Sequence, residues 1–281
     1  MPRSRLKLRF YQKIALALSI LLLAVYYVHD LEPSWIEVRT VSLSLPHLAP
    51  EFSGYRIVQL SDIHADRWMT AQRIQKVVGR VNDMHPDLVV LTGDFVTRNP
   101  EQFAPSLSVL KSLQPVDKTL AVLGNHDAWT NPDLIQRTLE TAGVQVLNNR
   151  SVTLERPSAQ LHIAGVDDIW AGRDRLNEVL ATLPTTGAAI LLAHEPDFAD
   201  TSAATGRFDL QLSGHSHGGQ IHLPFMKRVL PPLAYKYPLG QYQVGSMIQY
   251  TNRGLGSSGI PIRFNCRPEI TIFTLQSRPL A

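Results

Sequence analysis

Five separate apolar runs in this chain stop abruptly on side chains that bind metal: Arg56–His64, Asp87–Asp94, Thr119–Asp127, Ala189–His194 and Leu210–His217. A short continuous apolar run marks a strand buried on both faces, as in parallel sheets covered by helices. In such layered folds ligands gather just beyond the carboxyl ends of the strands. A chain of this kind is expected to bring five strand ends to one edge. Carboxylate, imidazole and amide groups then converge there as a metal centre.

Between these runs the periodicity is helical. Thr70–Met84 carries Ile74, Val77, Val78 and Val81, an amphipathic stripe closed by Pro86. A second helix is expected within Glu101–Leu113, and a third from Asn131-Pro132 to Gly143, where asparagine caps and proline takes the first helical position. A fourth spans Asp174–Leu183. Ile36–Leu45 alternates with period two as a first strand, Asn148-Asn149 suggests a hairpin, and Gln220–Leu275 reads as β-rich. Strands and helices mixed in this way specify an α/β fold of packed sheets with helices outside. The expected organisation is a membrane-anchor segment over 1–30, a linker and first strand over 31–54, and one catalytic-sized domain over 55–281.

Charge is unevenly placed. Arg3, Arg5, Lys7, Arg9 and Lys13 precede an uncharged stretch, Ile14–Val28, whereas the remaining residues hold 22 basic and 24 acidic side chains. The folded part is thus mildly acidic, which argues against a nucleic-acid partner. The single Cys266 excludes a disulfide framework and a cysteine-based zinc cluster. For the apolar stretch, a cleaved signal peptide, a spanning anchor and an interfacial helix compete. An uncleaved anchor is favoured, because small residues suited to cleavage are hard to find before Pro33 and tyrosines flank the segment. The positive-inside rule then puts the globular part outside the cytoplasm.

Each ligand fragment is weak by itself. Asp62-x-His64 is also what a loop-capping aspartate beside a surface histidine looks like, and His215-x-His217 is also a polar turn. In combination, Asp62-x-His64, Gly93-Asp94, Gly124-Asn125-His126-Asp127, His194 and Gly214-His215-x-His217 resemble the calcineurin-like metallophosphoesterases, over roughly residues 55–275. The stretches 214–224 and 253–263 are similar to the bacterial membrane-associated YkuE/YaeI-type branch of that family.

The resemblance implies a four-layer α-β-β-α sandwich, two divalent ions (manganese, iron or zinc) and a metal-dependent phosphodiesterase. Asp62, His64 and His217 would hold the first ion, Asn125, His194 and His215 the second, with Asp94 shared. In-line attack by a hydroxide between the ions is implied, with His126 protonating the leaving group. Elementary physics agrees: two close cations need a shared carboxylate, and two carboxylates against four positive charges leave a site that draws phosphate. This mixture of imidazole, amide and carboxylate suits manganese, iron or zinc better than calcium.

Asp127 is a candidate for orienting His126, the alternative being a helix cap. The protein Ser/Thr phosphatases of the superfamily carry Asp-Arg after their Gly-Asp. Thr97 stands at that aspartate here, which disfavours phosphoprotein substrates. Leu223–Tyr237 mixes apolar, aromatic and basic residues, as a loop at a lipid interface would, or as a proline-bearing loop packed on its own domain. Arg253, Arg263 and Arg267 are candidates for binding a phosphate or head group, against ordinary surface charge. The expected substrate is a phosphodiester or pyrophosphate that is membrane-associated or lipid-linked, cut at the outer side of the bacterial cytoplasmic membrane. The alternatives are a UDP-2,3-diacylglucosamine pyrophosphatase-type hydrolase at the cytoplasmic face and a non-catalytic binding module. The complete ligand set disfavours the last.

Overall fold

A computed structural model describes the backbone from Pro2 to Ser277 and side chains from Leu8 onward, so the charges at Arg3, Arg5 and Lys7 lie outside the described residues. Two six-stranded sheets face one another. The first has the order β1 (Glu37–Leu45), β12 (Glu269–Ser277), β2 (Arg56–Leu60), β3 (Leu88–Thr92), β4 (Lys118–Val122), β5 (Gln145–Val146). The second runs β10 (Gly240–Val244), β11 (Met247–Thr251), β9 (Leu210–Ser213), β8 (Ala188–Leu192), β7 (Ala159–Gly165), β6 (Arg150–Arg156). Strands β2 to β5 are parallel, as are β7, β8 and β9.

The apolar runs form strands because both of their faces are covered. The residues of β3 and β8 are all buried. Between the sheets Ile57, Val90, Leu120 and Phe273 pack with Ile163, Ile190 and Leu212. Outside the first sheet the helix Ala71–Asp83 buries Ile74, Val77, Val78 and Val81. Outside the second, Val179 and Ala199 close the far layer. The architecture is the α-β-β-α sandwich. Truncating one of the fully buried leucines, such as Leu120, to alanine would cost about 2–5 kcal/mol.

Three local expectations change. Residues 101–113 form a short α-turn, Pro100–Phe103, followed by a 3-10 stretch, Ala104–Ser112. Pro105 supplies no N–H to an α-helical ladder there. Asn148-Asn149 is a crossover between the sheets: β5 pairs with β4, β6 pairs with β7, and the hairpin turn is Pro157-Ser158. Among the described residues of 220–275, strands occupy only β10, β11 and the start of β12, so most of that stretch is irregular.

The N-terminal helix Pro2–Tyr26 passes through a π-helical turn, Tyr27–Leu31, into Glu32–Ser34. The run Leu8–Ser34 is long and apolar enough to cross a membrane. Its end is not a loose linker. Glu32 is buried and accepts the Cys266 N–H at 2.6 Å, and the Val28 carbonyl accepts the Arg263 N–H at 2.9 Å. β1 follows immediately and pairs in parallel with β12, so residues 31–54 are part of the sandwich.

Candidate metal centre

All five strand ends meet at one edge. β2 delivers Asp62 and His64, β3 Asp94, β4 Asn125 and His126, β8 His194, and β9 His215 and His217. The seven expected ligands are buried. Asp62, His64, Asp94, His215 and His217 adopt left-handed backbone angles, with φ between 49° and 68°. For residues other than glycine that conformation costs about 1–2 kcal/mol each. The turn it produces swings alternate side chains, Asp62 and His64 or His215 and His217, toward the same cavity.

Two groups of ligand atoms result, one from Asp62, His64, Asp94 and His217 and the other from Asp94, His194 and His215. Within each group the atoms lie within 4.8 Å of one another. Asp94 Oδ2 stands 3.4 Å from His64 Nε2 and 3.3 Å from His194 Nε2, between the groups. Glycine permits this closeness. A Cβ on Gly124 would collide with Asp94 Oδ1, and one on Gly214 with Ser61 Oγ and Asp62 Oδ2.

The donor set fits divalent ions. The His194 Nδ1–H donates to the Thr92 carbonyl at 2.7 Å, which aims the buried Nε2, without a hydrogen-bond partner, at Asp94 and the space between the two groups. The His215 Nε2–H donates to the Pro232 carbonyl at 2.9 Å and frees Nδ1. Asn125 Oδ1, also buried, accepts nothing. Orphaned buried acceptors are costly unless a cation meets them.

Electrostatics point the same way. Burial lowers His64 to about 3 and His215 to about 4, so both imidazoles are neutral at ordinary pH, as metal ligation would need. Burial raises Asp62 to about 6. Burial works against a charge on either Asp94 or His194, yet their attraction prevails. It holds Asp94 well below the usual carboxylate range and His194 well above the usual histidine range. This edge of the fold calls for positive charge.

The sequence comparisons agree with the geometry. Residues 55–219 match the family model described as calcineurin-like phosphoesterase. The chain belongs to the calcineurin-like phosphoesterase family. It is 37% identical over 257 residues to the metallophosphoesterase YkuE of Bacillus subtilis, covering 89% of each chain. It is 32% identical over 255 residues to the phosphodiesterase YaeI of Escherichia coli, covering 89% of this chain and 92% of that one. A zebrafish (Danio rerio) protein called a transmembrane protein with metallophosphoesterase domain is 31% identical over 276 residues; 92% of this chain matches 62% of it. The chain is a metallophosphoesterase of a family that binds divalent metals.

Several calcineurin-like site expectations need correction. Asp127 does not touch the His126 ring. One of its oxygens accepts N–H groups from Phe95 and Val96 at 2.9 and 3.3 Å, and the other accepts from Gly124 at 3.0 Å. It caps the helix Asn125–Trp129 and pins the β3 loop to the β4 loop. Burial, with Asp94 nearby, raises its pKa to about 8. The His126 ring is instead held by the Thr97 backbone carbonyl, 3.1 Å from Nδ1, and Ser258 Oγ lies 3.3 Å from Nε2. Where the resembling phosphatases use an aspartate side chain, this chain uses the main chain of the residue that replaces it.

The three arginines are engaged elsewhere. Arg263 is fully buried and donates to the carbonyls of Gly256, Cys266, Arg253 and Gly254. Arg253 pairs with Glu269 at 2.5 Å and Glu37 at 3.1 Å. Arg267 pairs with Glu37 at 2.8 Å and stacks over Trp35. None lines the cavity above the metal centre.

That cavity, about 690 Å³, is walled by residues outside the ligand motifs. Trp129 and Trp170 stand 4.9 Å apart on one side, the first against His126 and the second against His215. Leu223, Met226, Val229 and Leu230 form the other side. Trp129 follows the Asn-His-Asp motif by two residues, a spacing that offered a signal. Trp170 and Ser258 offered none.

Proposed function

We propose that this metallophosphoesterase hydrolyses a phosphodiester or pyrophosphate bond in a membrane-associated, lipid-linked substrate. The observation that carries the reading is the cavity, with a cation-seeking polar floor and aliphatic and indole walls. A phosphate with a large apolar substituent matches both surfaces. The exposed apolar helix at the N-terminus supplies the membrane context.

Asp62, His64, His217 and Asp94 would hold one divalent ion, and Asp94, Asn125, His194 and His215 the other. Bound there, such ions supply Lewis acidity and a water acidic enough to attack at neutral pH. The chain's own part is positional. Asp94 fixes the spacing of the two sub-sites, and accepts the His126 N–H at 2.9 Å so that the helix carrying His126 is registered to the floor. With Nδ1 against the Thr97 carbonyl, the His126 ring turns Nε2 toward the cavity, where it can pass a proton to the departing oxygen. The apolar walls exclude water and seat the substituent.

The test is manganese-dependent hydrolysis of a soluble aryl phosphodiester, alongside phospholipids and lipid-linked pyrophosphates. Asp94→Asn should lower turnover on all of them by ~10³-fold or more and lower the manganese stoichiometry read by calorimetry. Undiminished turnover in that variant would sink the two-ion assignment. Equal kcat/KM for soluble and lipid-bearing esters in the unmodified chain would remove the case for a lipid substrate.

A further inference from the structure

We infer that the loop tip Leu223–Val229 is a second membrane contact, seating the cavity mouth on the same leaflet that the N-terminal helix enters. The inference deepens the lipid-substrate reading and rests on it.

The tip cannot be accounted for by packing within the chain. Phe225 is fully exposed at 108% and Val229 at 85%, with Met226 between them also mostly exposed. Large side chains bared together in this way mark a surface that something covers. The second half of the same loop behaves otherwise. Asp197 accepts N–H groups from Tyr235, Lys236 and Tyr237, and the Pro232 carbonyl holds His215. The later half, though Tyr235 is exposed on it, is tied down by these bonds, and the tip rises from that anchored base.

What covers it follows from position. At the start of the loop Ile221 bridges to Phe264: the Phe264 carbonyl accepts the His222 N–H at 2.8 Å, and the Gln220 carbonyl accepts the Phe264 N–H at 3.1 Å. Phe264 in turn packs edge-on against Tyr27, and the neighbouring Arg263 N–H is held by Val28, both at the end of the apolar helix. From His222 to Phe225 the chain reaches at most about 11 Å. The tip therefore lies close to where the helix leaves the domain. Leu16, Leu18, Ile20 and Leu22 of that helix are each more than half exposed, and a helix apolar on all sides needs a hydrocarbon surround. Lys227 and Arg228 in the tip match anionic head groups. Met226 and Val229 are at once exposed at the tip and part of the cavity wall, so an acyl-bearing substrate would pass from leaflet to metal centre along continuous apolar surface.

The test labels the tip and reads depth without turnover. Phe225→Cys in the full-length chain carries an environment-sensitive nitrobenzoxadiazole label; the native Cys266 is buried against the His217 carbonyl. The protein is reconstituted in vesicles of phosphatidylglycerol and phosphatidylcholine. A label at Ser158→Cys, on the opposite edge of the sandwich, is the reference. The expected result is strong quenching of the residue-225 label by shallow nitroxide lipids, with iodide quenching several-fold weaker than at residue 158. A residue-225 label open to iodide and untouched by nitroxide lipids overturns the inference. Shielding that grows with protein concentration and not with lipid does the same, and points to a second copy. If residue 225 is shielded by lipid but no lipid phosphoester is cut, the membrane contact stands and the substrate reading falls.

Discussion

The floor and the rim of the cavity are made by opposite means. On the floor, buried strand ends hold ligands in left-handed backbone positions, with glycines where a methyl group would not fit. On the rim, a loop stands on hydrogen-bonded supports and bares apolar side chains. A floor locked by neighbours on every side preserves one chemistry. A rim with few neighbours can be exchanged without disturbing it, and under the proposed function that is where substrate choice would reside. The hydrogen bond from His215 to the Pro232 carbonyl ties the two together.

The sharpest way to break this contrast is at the floor. His126→Ala should reduce kcat by about 10²–10⁴-fold while manganese binding, read by calorimetry, is retained. Loss of metal together with rate would make His126 a ligand. Next comes pH. Folded His64 and His215 refuse protons down to about 3 and about 4, whereas unfolded histidines take them up near about 6.5. Their contribution to stability is complete above about 6.5 and is lost as pH falls. Buried carboxyls oppose this: Asp62, raised to about 6, Asp127, raised to about 8, and Glu195, also pushed up by burial, take up protons in the folded chain before unfolded carboxylates do near about 4. These opposed titrations offset one another in the Tm of the metal-free chain, so the pH dependence is read from metal affinity, which should weaken between pH 7 and pH 5 because Asp62 must ionise to bind. Manganese affinity that holds level over that range would show that Asp62 is not a ligand. The smallest effect belongs to the rim: Met226→Ser should raise KM for an acyl-bearing ester several-fold and leave kcat nearly unchanged. A large fall in kcat would mean that the rim takes part in the chemistry.

The floor was legible in the sequence because two strong signals coincide there. A run such as Leu88–Thr92 is too apolar for anything but a doubly covered strand, and Asp94 follows at the position where such a strand must end. The rest depended on contacts that residue type does not encode. A guanidinium that could fork onto phosphate is equally satisfied by four carbonyls, as Arg263 is. The group holding His126 is a main-chain oxygen, which every residue carries, so Thr97 gave no sign of it. Asn148-Asn149 has the composition of a hairpin, but its flanking strands pair with β4 and β7 in different sheets. The loop 223–237 has one composition throughout yet divides at its midpoint, because only its later half meets Asp197.

The left-handed torsions at Asp62, His64, Asp94, His215 and His217 also bear on protein engineering. Copying the seven ligand types onto the strand ends of another sandwich would not reproduce this centre, because an extended exit would string each pair along one face, about 6.6 Å apart per two residues, instead of folding it round a cation. The transferable unit is a set of backbone angles with glycine neighbours, and a graft that omitted them would inherit the letters of the motif without its geometry.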